Sequence, residues 1–256
     1  MTKSLREYAK ERLAAVKAAR IEQVIRTERY AGPNGRHDSG TNYRNFSRTI
    51  SNRMLSLYDD CELLITEDRI SSACVLARCV IETFAVGHFA QFEIEKALKT
   101  GGPDKAGRVI LEYINSSRLK VEEQKRFKTM KFSASDYHFT EQALERMLKE
   151  EAAAKHIMNA LRYLFRLEMN TTGRTESQLE FVYEALSEWT HPSQTSLMHA
   201  FTREAWDIPT SIGPVSLWDA ALECCSDALC CLLDLPELTS QMHQLASQLS
   251  AKETAN

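Results

Sequence analysis

Glycine and proline are scarce in this 256-residue chain, with nine of the first and six of the second. They gather in AGPNGRHDSG (31–40), in GGPDKAG (101–107) and at Pro192, Pro209, Pro214 and Pro236. Because these residues end helices and shape turns, their clustering leaves long uninterrupted segments between short breaks, which predicts an all-α protein. Alternating apolar and polar runs of useful length are missing too, so no sheet is expected. The opening MTKSLREYAKERLAAVK mixes charges throughout and lacks the apolar stretch of a signal peptide. The longest apolar-rich segment, SACVLARCVIETFAVGHFAQF (72–92), is interrupted by Arg78, Glu82 and His88 and so does not read as a lipid-facing span. A soluble, cytoplasmic protein with no membrane contact is expected.

Other absences remove whole reaction classes. G-x-S-x-G and H-E-x-x-H do not occur, which excludes the common hydrolase and metalloprotease motifs. Gly35 to Thr41 and Gly102 to Arg108 each carry two glycines five apart, but neither continues into the Lys and Ser/Thr that hold phosphates and magnesium, and neither follows a strand. Seven cysteines, at 61, 74, 79, 224, 225, 230 and 231, form no C-x-x-C pair and sit in apolar runs, as small hydrophobes in a reducing compartment do. The doublets Cys224/Cys225 and Cys230/Cys231 lack nearby histidines at finger-type spacing. Glu188 and His191 make one Glu-x-x-His pair, whereas a di-iron bundle centre needs two pairs and two further inward glutamates. Glu82 and His88 diverge by about 120° on one helix. No metal or other cofactor is expected.

The apolar residues that are present follow the 3.6-residue period. They predict helices at about 3–30, 46–66, 69–99, 104–126, 140–168, 176–191, 215–234 and 237–250. Pro103-Asp104 ahead of VILEYI, Thr175 with Gln178, and Pro236-Glu237 mark three of the starts. Residues 1–45 read as a charged helical arm and loop, and 46–256 as a helical bundle domain. Charge is uneven along the chain. Residues 1–48 hold eleven Lys and Arg against five acids, while from Glu204 onward eight acids face only Lys252. That dipole suits a basic end meeting nucleic acid, contact between copies in a homo-oligomer, or a solvated helix laced with i,i+4 pairs.

The most unusual feature is charge inside the apolar helix 69–99. Arg78 and Glu82 stand one turn apart on a stripe that continues through Ala85 and Phe89. A buried charge left alone costs several kcal/mol or more, so both need partners on a facing helix. The stretch YEALSEWTHPS supplies candidates: Tyr183, Ser187 and His191 share a stripe with Glu180, while Phe181, Leu186 and Trp189 mark the apolar side.

ARCVIETF together with Tyr-x3-Ser-x3-His-Pro-Ser resembles a bacterial family of helical proteins catalogued as a domain of unknown function, itself similar to the HEPN helical bundles. The resemblance covers about residues 46–200. It implies a HEPN-like core, a setting in phage defence or toxin–antitoxin systems, and a catalytic set of Arg78, Glu82, Tyr183, Ser187 and His191. HEPN nucleases place an arginine four to six residues before a histidine, and none of the seven histidines here has one. Two readings follow. The chain is a non-enzymatic helical interaction or regulatory protein, with a homo-oligomer or protein partner, in which these residues form a structural network. Alternatively it is a metal-independent ribonuclease or nucleotide-binding protein in which His191 exchanges protons and Arg78 stabilises phosphate charge. In the second reading RNA is held by the basic arm and by Lys125, Arg126, Lys128 and Lys131.

Overall fold

The long segments between glycine and proline clusters become helices packed around one another in a computed structural model that describes residues 4–31, 38–114, 157–191, 193, 207–210 and 213–254. The chain is an all-α multi-helix bundle. Helix α1 (Leu5–Ile21) starts at a capping box, in which the Ser4 hydroxyl accepts from the Glu7 N–H and the Glu7 carboxylate accepts from the Ser4 N–H. It ends at residue 21 instead of 30. Beyond it Val24, Ile25 and Thr27 are β-branched, and the backbone there bonds to side chains of the next helix instead of to itself.

Helix α2 (Ser39–Thr66) is capped by Asp38, whose carboxylate accepts from the Thr41 N–H at 2.5 Å. It begins seven residues earlier than the sequence pattern suggests because Gly40 is not a loop residue. Gly40 is where α2 meets the last helix, and a Cβ there would run into the Ala246 carbonyl. The helix passes residue 45 without a break, and Ala9 and Val16 of α1 are fully buried in the same core.

Helix α3 (Ile70–Ile114) is the central element and contacts α2 and each later helix among the described residues. It is interrupted at Gly101 and Gly102, the latter at φ 70°, a conformation that favours glycine, and it resumes at Pro103 as the sequence indicates. By length and apolar content it is long enough to cross a membrane, but more than half of its most apolar stretch is covered by the rest of the protein. Helix α4 (Ile157–Thr172) buries Ala160, Leu161, Leu164 and Phe165. Helix α5 (Gln178–Thr190) is capped by Ser177 and not Thr175. The difference comes from α4: the Glu168 carboxylate accepts from both the Ser177 hydroxyl and the Leu179 N–H, which fixes the start of α5 two residues later.

The expectation of no sheet needs one small correction. β1 (Asp207–Thr210) and β2 (Gly213–Ser216) form an antiparallel ribbon with Asp207 opposite Ser216 and Pro209 opposite Pro214. Four-residue strands are too short to leave an alternating pattern, and proline, which cannot donate to a ladder, hides them further. The ribbon leads into α6 (Leu217–Leu229), a 3-10 turn (Cys230–Leu232) and α7 (Leu235–Thr254). Helix α7 starts at Leu235, where Pro236 and Glu237 suit a first turn.

Much of the charge asymmetry is resolved within the chain. Basic α1 lies on acidic α6, with Arg12 at 3.0 Å from Asp227 and 3.6 Å from Glu223. On the other side of α1, Arg20 pairs with Asp59 at 2.7 Å and Lys17 with Glu62 at 2.6 Å, both on α2. The cysteines pack as hydrophobes: Cys61, Cys74, Cys225 and Cys231 are buried, and the Cys225 thiol lies 3.6 Å from Cys74. The outer ends of the helices expected at 104–126 and 140–168, with Lys125, Arg126, Lys128 and Lys131, lie outside the described residues.

Candidate functional site

Arg78 and Glu82 project from α3 toward α5, and their partners decide what they can do. The Arg78 Nη2 donates to the Tyr183 hydroxyl at 2.6 Å and lies 3.3 Å from Glu82 Oε1. The Tyr183 hydroxyl in turn donates to Glu82 Oε1 at 3.1 Å. One phenol oxygen therefore bridges a cation and an anion that also touch each other. The Arg78 Nη1 donates to the Thr190 hydroxyl at 3.2 Å, and the Arg78 guanidinium carbon sits 4.7 Å from the centre of the Tyr183 ring. Thr190 was not among the residues singled out from the sequence. Its position one residue before His191, one helical turn after Ser187, was the available signal.

The site is half-sealed. The side chains of Arg78 and Glu82 are 23% and 17% exposed, and Tyr183 is buried at 7%, with its ring against Phe165 of α4. Burial raises the Tyr183 pKa; the Arg78 hydrogen bond opposes this and the nearby Glu82 charge adds to it. The phenol therefore keeps its proton at neutral pH and is available as a donor to Glu82. The Arg78 Nε is buried without a hydrogen-bond partner among the described residues, so the network is held by the two terminal nitrogens alone.

Ser187 and His191 play different parts from those the sequence stripe assigned. The Ser187 hydroxyl donates to the Tyr183 carbonyl at 2.7 Å, a bond within its own helix. His191 is the exposed residue that follows α5, and its N–H donates to the Ser187 carbonyl. The helix is also rotated relative to expectation: Phe181 is 64% exposed, while Val182, Tyr183, Leu186 and Trp189 form the buried face. Of the five expected site residues, Arg78 and Glu82 of α3 converge with Tyr183 of α5, Ser187 bonds within α5, and His191 lies at the exposed end of α5.

No group of three or more His, Cys, Asp or Glu among the described residues is placed to hold a metal ion. The described clefts lie elsewhere and none is lined by Arg78, Glu82, Tyr183 or His191. The largest two have volumes of about 570 Å³, between α3 and α4 around Phe92, Tyr163 and Arg166, and about 530 Å³, between α2 and the segment after α1. The second is lined by Arg26, Arg29 and Arg48, which motif reading did not single out because they belong to no spaced pattern. Comparison with family models, curated proteins and solved structures gives no match to this chain.

Proposed function

We propose that this chain is a non-catalytic helical interaction protein in which Arg78, Glu82, Tyr183 and Thr190 act as a polar clamp between α3 and α5. The observation that carries the reading is the commitment of both terminal nitrogens of Arg78 to side chains within the bundle. A guanidinium that stabilises a scissile phosphate needs free donors facing the substrate, with a proton-transfer group within hydrogen-bond reach of the same atoms. Here both terminal nitrogens are engaged with Tyr183, Glu82 and Thr190, the Nε is buried, and the imidazole belongs to the exposed residue past the end of the helix. The HEPN-like core and a regulatory setting in bacterial defence or toxin–antitoxin systems belong to the same proposal. They rest on the resemblance carried by ARCVIETF and YEALSEWTHPS.

The test is incubation of purified protein and its His191→Ala variant with total RNA in the presence of EDTA, followed by electrophoresis. Intact RNA in both samples is the expected outcome, with the melting temperature of each sample showing that it is folded. RNA cleavage by the wild type that His191→Ala abolishes without loss of folding would refute the clamp reading and establish the ribonuclease.

A further inference from the structure

After α1 the chain does not leave the bundle. Residues 23–31 run back along α2 as a strap, held by two asparagines two helical turns apart. The Asn52 side chain accepts from the Arg26 N–H at 3.1 Å and donates to the Arg26 carbonyl at 2.8 Å. Asn45 does the same to Tyr30, at 2.8 Å and 3.1 Å. Each amide satisfies both backbone groups of one strap residue, so the strap is fixed there through its backbone while the side chains of Arg26 and Arg29 stay exposed. Arg48 of α2 completes the attachment by donating to the Glu28 carbonyl and stacking 3.9 Å above the Tyr30 ring.

Between strap and helix lies the cleft of about 530 Å³, within the range of small-molecule sites. Its charge is one-sided, with Arg26, Arg29 and Arg48 against the single carboxylate of Glu28. Arg26 and Arg29 have no carboxylate partner among the described residues, in contrast to Arg12 and Arg20 a short distance back along the chain. Two aromatic side chains, Phe46 and Tyr113, line the cleft as well, with ring centroids 5.8 Å apart. The Tyr113 hydroxyl donates to Glu93 at 2.6 Å, so its ring and that of Phe46 are the flat apolar surfaces of the lining. Asn42 lines the cleft too, without a side-chain hydrogen bond among the described residues.

Guanidiniums without a carboxylate partner, two aromatic rings and the Asn42 amide lining one small cleft match a ligand that joins a phosphate to a flat heterocycle. We propose that this cleft binds a nucleoside 5′-phosphate, either free or as the 5′ end of an RNA, with the phosphomonoester on Arg26 and Arg29 and the base on the Phe46 side. Arginine suits this role because its fork of donors meets phosphate oxygens in pairs, and bases stack on aromatic rings whatever their sequence. A single cleft and not a long basic track fits one terminal nucleotide better than a strand. The site does not involve the Arg78 clamp, so its failure and the failure of the clamp reading are separate results.

The experiment is isothermal titration of the full chain with AMP, inorganic phosphate and adenosine, followed by short RNAs of one sequence bearing a 5′-phosphate or a 5′-hydroxyl. AMP is expected to bind most tightly, adenosine at least about tenfold more weakly, and all phosphate-dependent binding to weaken as salt rises. Arg26→Ala/Arg29→Ala should weaken AMP binding by at least about tenfold while leaving the melting curve unchanged, because the strap is held through its backbone and not these side chains. Tight AMP binding with no response to 5′-phosphorylated RNA assigns the free nucleotide, and a preference for 5′-phosphorylated over 5′-hydroxyl RNA assigns the RNA end. Absence of binding by AMP and both RNAs overturns the proposal. So does AMP binding that the double variant leaves unchanged, equal affinity for phosphate and AMP, or RNA binding indifferent to its 5′ group.

Discussion

Replacing Tyr183 with phenylalanine removes one oxygen and nothing else from the clamp. The ring stays beneath the Arg78 guanidinium and against Phe165, so packing and the cation–π contact survive. Lost are the 2.6 Å bond from Arg78 and the 3.1 Å bond to Glu82. Hydrogen bonds to charged groups contribute roughly 1.5–3 kcal/mol each when buried. Water reaches the 23% and 17% exposed side chains of Arg78 and Glu82, and their direct 3.3 Å contact remains, which offsets part of the loss. The net expectation is a destabilisation of about 2 kcal/mol, or about 5 °C in melting temperature for a chain of this size. Thr190→Val, which removes one 3.2 Å bond, should cost about 1 kcal/mol. Arg78→Met should cost most, about 3–4 kcal/mol, because it leaves the half-buried Glu82 without its cation. Circular-dichroism melts and urea titrations of the three variants measure this order. A Tyr183→Phe protein within about 0.5 kcal/mol of wild type would show that the network carries no stability. The reasoning that assigns it a structural role would then fail.

Two pH effects follow from burial. His88 packs edge-on against Phe84 at 4.5 Å, and desolvation lowers its pKa from 6.5 to about 4. A depressed folded pKa means the stability it contributes is present above pH 6.5 and is lost as the pH falls toward 4, by up to about 3 kcal/mol. Urea midpoints between pH 7 and pH 4 should therefore decline, and His88→Leu should flatten the decline; an identical profile in the variant would refute the assignment. At the alkaline end, burial pushes the thiols of Cys224 and Cys230 up from 9.0 to about 12 and about 11. A raised folded pKa means their contribution is intact below pH 9 and is lost as the pH rises through 11, so stability should fall over that window. The same thiols should react with iodoacetamide more slowly at pH 8 in the folded protein than in urea, and equally rapid alkylation of Cys224 and Cys230 in the native chain would contradict their partial burial.

The sequence by itself determined the helical class and several of the helix boundaries. The scarcity of glycine and proline and the 3.6-residue apolar period are local properties, and they fixed the helical class, the break at Gly101–Gly102 and the starts at Pro103 and Pro236. The same locality explains the pairing of Arg78 with Glu82, since residues one turn apart on a helix must meet. The demand for a partner on a facing helix was legible as well, because an unpaired charge on a core-facing stripe is costly.

Only the tertiary structure decided which partners answered. Gly40 reads as a loop residue until α7 is seen to need the space of its missing side chain, and the start of α5 moves to Ser177 because Glu168 of another helix holds it. Rotation of α5 about its axis exposes Phe181, buries Tyr183 and leaves His191 at the solvent end, replacing it in the clamp with Thr190. The strap is the largest case. Its backbone bonds to Asn45 and Asn52 are contacts between residues 15 and 26 positions apart, and no periodicity encodes them. Spacing along one helix follows from the geometry of that helix alone. The identity of a facing residue depends on the angle and rotation at which two helices pack, and that is set by the shapes of all the side chains between them.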